Sequence, residues 1–499
     1  MPFVYNVPFF SIMLSMVAGV CLTLFKSGRA ALRVTQGVAG VICALSVWLT
    51  VDLLRTNQSF IYTMGHYPAP WGNELQCSPF EAGMAAAFCL MLLAAIPGCE
   101  RDFFRDIQAK KQNLFCLFIN LTLASALVLI YTNDLFNAYV FVEIMAIVSA
   151  ALVMAEGRGR SIAAAMRYAY LSAVGSGLFL MGITITYYIT GHLLMDDLGR
   201  VIAALYESGE YRLQLVVGVG LMIVGLSIKS ALFPFHGWLP EAYSACTTMA
   251  SAIQSGLISK CYLFIIIKFI CRIFSLEMLV ELHIINVLFV LGIAGMIYGS
   301  VAAMREQESR RMIAYSSVAQ VAYIFMGIGL GTWHGLAAAC YQMLAHTFTK
   351  PMLFTSVSAL VREGAGTDSW HDLRGTARRN PLAGVAFTVG GLSLCGLPLL
   401  AGFAAKFELA AASVESGDKM LLTMLALGAS SVLNSLYYIP AIITIWISPF
   451  QKDVVLPREK EPRDWGFVVS TLMFLACNLM LGICMGQVTG LLLQSIVRV

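Results

Sequence analysis

Apolar runs of about twenty residues, parted by short charged or turn-rich breaks, recur along the whole chain. A run of that length is what an α-helix needs to cross a hydrocarbon core about 30 Å thick. Fourteen can be drawn, with cores at 7–25, 34–54, 80–98, 112–131, 135–155, 163–190, 213–233, 250–270, 285–304, 312–330, 335–360, 382–411, 420–449 and 465–495. The pattern predicts an all-α polytopic membrane protein of about 14 transmembrane helices. The seventh run is broken at Pro234 and continues briefly through Pro240, and the twelfth is broken at Pro398. Proline inside a span frees backbone groups that only protein or a water-filled cavity can cover, so both runs are expected as broken helices.

The two breaks carry matching text. GLSIKS begins at Gly225 ahead of Pro234, and GLSLCG begins at Gly391 ahead of Pro398. Matching Gly/Pro interruptions in two halves point to a transport site. The chain then divides into a three-helix segment (1–110), a five-helix repeat (111–275), a second five-helix repeat (284–450) and a C-terminal helix (451–499). An odd number of helices per unit makes the two repeats inverted in the membrane.

Charge orients the chain. Of 32 Lys and Arg residues, 21 fall in one set of loops, among them Lys26, Arg101, Arg158, Arg310, Arg378, Lys452, Arg458, Lys460 and Arg463. The other side holds six, Arg55, Arg200, Arg212, Arg272, Lys419 and Arg498. By the positive-inside rule the first set is cytoplasmic and both termini face outward. Composition agrees with a cell-membrane protein, at 59% hydrophobic and 12% charged residues, against about 25% charged in soluble domains. The basic residues are not clustered as nucleic-acid binding requires. Lys26 follows the first apolar run, so no cleavable leader is expected. Thirteen cysteines show no CxxC or Cys/His metal spacing, so this chain is expected to hold no metal, cofactor or disulfide framework.

The remaining five lysines, 229, 260, 268, 350 and 406, fall inside spans. A bare lysine at bilayer depth costs roughly 2.5–3.5 kcal/mol, so four of them uncompensated would cost on the order of 10–14 kcal/mol. A hydrated central track would relieve that cost. Glu143 lies mid-span with no polar neighbour in its own run, and Lys229 is the expected partner. Opening and closing that contact would load and release a proton. Lys260 follows as the next station. Gln342, His346 and Lys350 stand at i, i+4, i+8 and line one helix face, and Lys406 completes the set. Glu408, two residues on, points elsewhere and is not its intrahelical partner. His236 and Glu241, in the first broken segment, are placed nearer the cytoplasmic mouth. Lys268 is expected to snorkel to the interface, and Glu81 to sit there too.

At these residues the sequence resembles the antiporter-like subunits of respiratory complex I, the D-type subunit of multisubunit (Mrp) sodium/proton antiporters and matching subunits of membrane-bound energy-converting hydrogenases. The resemblance is carried by KSALFPFHGWLPEA, RRMIAYSSVAQVAYIFMGIG, AHTFTKPMLF, GLSLCGLPLLAGFAAKF and MGHYPAPWG, and it covers about residues 60 to 450. It implies fourteen helices with inverted repeats, and a proton path through Glu143, Lys229, Lys260, His346, Lys350 and Lys406. Lysine rather than glutamate at 406 is closer to the D-type and hydrogenase branches. The chain departs at Glu241, Tyr243, Thr247 and Met249, at Leu399 after Pro398, and at Gln342, which orders water but carries no net proton. It ends at Val499, without the long lateral helix some relatives append.

The leading expectation is a proton-translocating subunit, itself non-catalytic, of a multisubunit complex linked to ferredoxin, hydrogen or NADH. Any iron–sulfur or nickel–iron centre would belong to partner subunits in a peripheral redox arm. The alternatives are the D-type subunit of a sodium/proton antiporter without a redox partner, moving H+ and Na+, and a stand-alone secondary transporter.

Overall fold

The computed structural model describes residues 3–67, 69, 71–447 and 464–497. Lys452, Arg458, Lys460, Arg463 and Arg498, with Pro68 and Pro70 of the MGHYPAPWG segment, lie outside the described residues. The architecture is that of an all-α polytopic membrane protein. Among the described residues twelve helices are long and apolar enough to cross a membrane. The other two segments expected to span are a 31-residue helix carrying Gln342, His346 and Lys350, and a pair of 15-residue helices split at Pro398.

In chain order the elements begin with α1 (Val7–Leu22), α2 (Gly28–Thr56), a hairpin of β1 (Phe60–Thr63) and β2 (Glu74–Cys77), and α3 (Pro79–Gly98). Next come α4 (Glu100–Asp106), α5 (Ala109–Tyr131), α6 (Leu135–Met154), α7 (Gly159–Thr190), α8 (Met195–Ser208), α9 (Arg212–Lys229) and α10 (Trp238–Ala245). α11 (Thr248–Ile253) runs through a π-turn (Gln254–Ile258) into α12 (Ser259–Arg272), followed by α13 (Leu276–Glu281), α14 (Ile284–Met304) and α15 (Ser309–Gly329). The chain closes with α16 (Trp333–Glu363), α17 (Pro381–Cys395), α18 (Ala401–Glu415), α19 (Met420–Trp446), α20 (Trp465–Ile483) and α21 (Met485–Val497).

Local chemistry sets the helix ends. Ser78 and Glu81 form a capping box at the start of α3 with Pro79 at its first position, which satisfies donors no helical carbonyl can reach. Asp134, Thr332, Asn380 and Asp464 cap α6, α16, α17 and α20 through side-chain oxygens. The hairpin pairs Phe60 with Cys77 and Thr63 with Glu74, between the second and third apolar runs. The amphipathic α8, buried only at Met195, Leu198 and Ile202, has 14 residues and is too short to span.

The middle of the molecule is α11–α12 and α16: every residue from Thr248 to Ile270 and from Gly335 to Val361 is buried. The surrounding helices turn Val20, Ile147, Leu213 and Leu421 outward, each more than 60% exposed, which is normal where the solvent is lipid. The loops sort into two ends. Arg33–Glu100, Arg101–Asp464, Arg160–Glu308, Arg310–Asp368 and Arg362–Asp102 tie the arginine-rich loops together. At the opposite end the hairpin bridges to Thr132, Asp134 bridges to Leu194, and Lys419 donates to Gly329 O.

Two expectations are corrected here. Lys268 does not snorkel: it is fully buried, and its ammonium donates to Ile130 O and Thr132 O at 2.6 Å each. Those are carbonyls at the end of α5, where helix geometry leaves acceptors without amide partners. Glu81 is not interfacial: it is fully buried and pairs with Arg272 at 2.6 Å. Each charge found a buried partner on another helix, so neither had to reach water.

Candidate functional site

α9 ends on Lys229, and the chain passes through Ala231 at φ 63° before a 3-10 turn leads into α10. The break exposes backbone acceptors, and Trp238 returns its indole N–H to Ile228 O at 3.0 Å. The Lys229 ammonium donates to Ser172 Oγ at 2.8 Å and lies 3.4 Å from Glu143 Oε1. Ser176 donates to the same carboxylate, and the Tyr262 ring lies 5.7 Å from the ammonium. Close helix approach makes this possible. A Cβ on Gly225 would stand 2.5 Å from Gly175 O, and one on Gly175 would stand 2.7 Å from Gly225 O. Two glycines let α7 and α9 touch backbone to backbone, and Ser172 is thereby held against Lys229.

Lys260 follows the π-turn, a rare winding that frees carbonyls. Its ammonium bonds Ser255 O and Ser259 Oγ. Gln254, inside the same turn, reaches Ser149 Oγ of α6 at 2.7 Å. Gly256 lies where a Cβ would meet Pro351 at 2.6 Å, so the π-turn packs on the helix interior beside Lys350.

On α16, Gln342 donates to Gln320 Oε1 at 2.7 Å. His346 is buried with neither ring nitrogen bonded to protein. Lys350 donates to Ile313 O at 3.0 Å and to Ser316, whose hydroxyl shares a 2.7 Å bond with Tyr438 OH. Tyr437, packed on Tyr438 at 4.7 Å between ring centroids, donates to Asn434 Oδ1 at 2.7 Å. Asn434 donates to Leu394 O at 3.1 Å. Lys406 reaches the same carbonyl at 2.8 Å, along with Cys395 O and Ser431 Oγ. Lys406 therefore sits on the last carbonyls of α17, at the point in the second broken helix that Lys229 occupies in the first. Both ammoniums stand at the carbonyl end of a half-helix, where the macrodipole is negative.

The structure thus brings Glu143 to Lys229, seats Lys260 on the π-turn beside Pro351, and links Lys350 towards Lys406 through side chains. It does not bring His236 or Glu241 onto this series. His236 packs among Phe233 and Tyr298, at 5.5 and 4.6 Å between ring centroids, and Glu241 pairs with Arg167 at the arginine-rich end. Glu408 faces away from Lys406 and pairs with His334 at 3.1 Å, which also meets Glu415 at 3.0 Å. Sequence reading missed Ser172, Ser176, Gln254, Ser316, Asn434, Tyr437 and Tyr438. The signal for three of them was available: Asn434, Tyr437 and Tyr438 fall at i, i+3, i+4 in an otherwise apolar run.

The model of a family described as NADH:quinone oxidoreductase/Mrp antiporter, TM, matches residues 132–433. The N-type subunit of the NADH-quinone oxidoreductase of Desulforudis audaxviator is 32% identical over 405 residues, 81% of this chain and 79% of that protein. The D-type subunit of the Na(+)/H(+) antiporter of Bacillus subtilis is 27% identical over 479 residues, 95% of this chain and 92% of the relative. Among solved structures, a chain of the membrane-bound sulfane sulfur reductase, an archaeal respiratory membrane complex, superposes with a TM-score of 0.87 at 24% identity, covering 99% of this chain and 98% of its own. The matched region holds every lysine, histidine and glutamate of the buried series, and the chain belongs to the NADH:quinone oxidoreductase/Mrp antiporter family as an antiporter-like membrane subunit.

Proposed function

We propose that this chain is the proton-translocating membrane subunit of a multisubunit, complex-I-related assembly linked to ferredoxin, hydrogen or NADH. Protons pass along Glu143, Lys229, Lys260, His346, Lys350 and Lys406, with other membrane subunits as neighbours and redox centres only in partner chains. The observation that carries this reading is where the ammoniums stand. Lys229, which ends α9 with Glu143 beside it, sits on the Ser172 hydroxyl of α7, and Lys260 and Lys406 sit on carbonyls at an interruption of a helix. Such groups accept from an ammonium without balancing its charge, so losing and regaining the proton leaves the hydrogen-bond frame in place. The unpartnered His346 nitrogens, Gln254 Oε1 and Gln320 Nε2 lie along the same series, and buried polar atoms of this kind favour water between stations.

The repeats 111–275 and 284–450 would then each contribute one broken helix, and the arginine-rich end would face the cytoplasm with both termini outside. A second reading, the D-type subunit of a sodium/proton antiporter without a redox arm, is favoured by the 95% coverage of this chain by such a relative. Mild-detergent purification with mass spectrometry of co-eluting chains separates the two: iron–sulfur or nickel–iron subunits support the first, small membrane subunits alone the second. The path itself is tested by Lys229→Ala. Coupled proton transport in inverted vesicles is expected to fall at least tenfold with assembly intact, and unchanged transport removes Lys229 from the mechanism.

A further inference from the structure

Two adjoining cavities at the arginine-rich end take no part in the buried lysine series. The larger, about 580 Å³, is lined by six arginines, each ion-paired with a carboxylate of the lining or beside it. The smaller, about 200 Å³, lies between Arg160, Arg167, Arg311 and Glu241. They share Arg160, Ser244 and Ala245. The side chains of Arg160 and Arg167 are 56% and 64% exposed. Each is held along one edge by a carboxylate, Glu308 and Glu241 respectively, which leaves further N–H donors of the five-donor fork directed outward.

Arg160 and Arg167 begin a single stripe of α7. Val174, Met181 and Tyr188 continue it at seven-residue spacing, and all five are exposed. Seven residues return to nearly the same helix face and advance about 10 Å. Two guanidiniums thus stand at the cavity mouth, above a lipid-facing apolar track running down the helix.

We propose that the paired cavities bind the phosphate of an anionic phospholipid, with its acyl chains laid along Val174 and Met181. Guanidinium binds phosphate through two parallel hydrogen bonds, and basic pockets between spanning helices are suited to acidic headgroups. A free anion would have no use for the apolar stripe. A zwitterionic headgroup would bring its cation against the outward donors of Arg160 and Arg167. Phosphate on the outward donors of Arg167 lies beside its Glu241 pair, and so next to α10, the continuation of the first broken helix. The binding site does not depend on the proton path.

The intact complex, stripped of lipid in detergent, is given phosphatidylglycerol, phosphatidylcholine or inorganic phosphate, and heat-induced loss of this chain is followed beside the Arg160→Gln/Arg167→Gln variant. Phosphatidylglycerol is expected to raise the midpoint by several degrees in the native chain and to do nothing in the variant. Phosphatidylcholine and inorganic phosphate are expected to have little effect on either. An equal gain from phosphatidylcholine or inorganic phosphate overturns the proposal, as does a full response in the variant. So does crosslinking of an acidic polypeptide to the Arg160 cavity in lipid-free complex. If the variant does not accumulate, native mass spectrometry of the native complex decides. Phosphatidylglycerol retained above its share of an equimolar mixture supports the site, and proportional retention overturns it.

Discussion

Lys229 and Lys268 carry the same side chain at membrane depth, and their surroundings assign them different work. Lys229 faces a carboxylate and a hydroxyl on two other helices, and Glu143 keeps a third of its side-chain surface open. Lys268 is sealed on Ile130 O and Thr132 O, carbonyls that mark the end of α5. Lys268→Met leaves those buried acceptors without donors, at about 1–3 kcal/mol. Its expected effect is a lower midpoint of thermal unfolding, with transport per assembled complex unchanged. If transport falls with stability intact, Lys268 belongs to the ion path. In the sequence Lys229 stands ahead of the Pro234 break, whereas Lys268 is marked only by its place near the end of an apolar run, which predicts snorkelling. Their partners lie 57 and 86 residues away for Lys229 and 136–138 for Lys268, and no local pattern reports them.

At the scale of elements, the site depends on how closely two helices approach and how firmly the arginine-rich loops are pinned. Gly225→Ala places a methyl 2.5 Å from Gly175 O and 2.7 Å from Phe179 N. Backbone cannot yield, so α7 and α9 must separate and Ser172 with Ser176 must move from Lys229. Transport is expected to fall several-fold with every titratable group present, and an unchanged rate means that this contact does not set the Lys229 geometry. At the arginine-rich end Asp102, 2% exposed, accepts from Ser358 and Arg362 at 2.6 Å and lies 3.1 Å from Arg105. Burial by itself would raise the Asp102 carboxyl, but Arg362, Ser358 and Arg105 outweigh it and hold the carboxyl below its ordinary value. The contribution to stability is therefore present above the unfolded carboxylate range, near pH 4, and is lost as pH falls through the lower folded value. Asp102→Asn leaves Arg362 and Arg105 without that charge, at about 3 kcal/mol if the loss resembles other broken buried pairs. Thermal unfolding against pH should show a lower midpoint in the variant and a flatter acid limb. Parallel curves would place the acid sensitivity elsewhere. The spans and both breaks were legible because apolar length and proline act locally. The π-turn was not, since its causes are the packing of Gly256 on Pro351 and the reach of Gln254 to α6.

Over the whole molecule, the buried series joins two halves whose breaks place a lysine in different ways. In the first, the lysine ends the half-helix itself. In the second, Cys395 stands at that position and Lys406 reaches back from α18 to Leu394 O and Cys395 O. The matched text GLSIKS and GLSLCG revealed the likeness of the breaks but not this exchange, because a lysine eleven residues further on can fill the place only once α18 folds against α17. The distance from Lys350 to Lys406 is likewise bridged by α15 and α19, through Ser316, Tyr438, Tyr437 and Asn434. Tyr438→Phe keeps the ring among Phe387 and Tyr437 and removes only the hydroxyl bonded to Ser316. If hydroxyls relay the proton, coupled transport should fall by about a hundredfold, the lower end of the usual range for loss of one proton-transfer group, while assembly and stability change little. Lys350 would still receive protons from the first half, so the defect should appear as slow delivery to Lys406 and not as loss of loading. Full transport in Tyr438→Phe would hand the relay between the second-half lysines to water, leaving Ser316 and Tyr438 as the packing that shapes its channel.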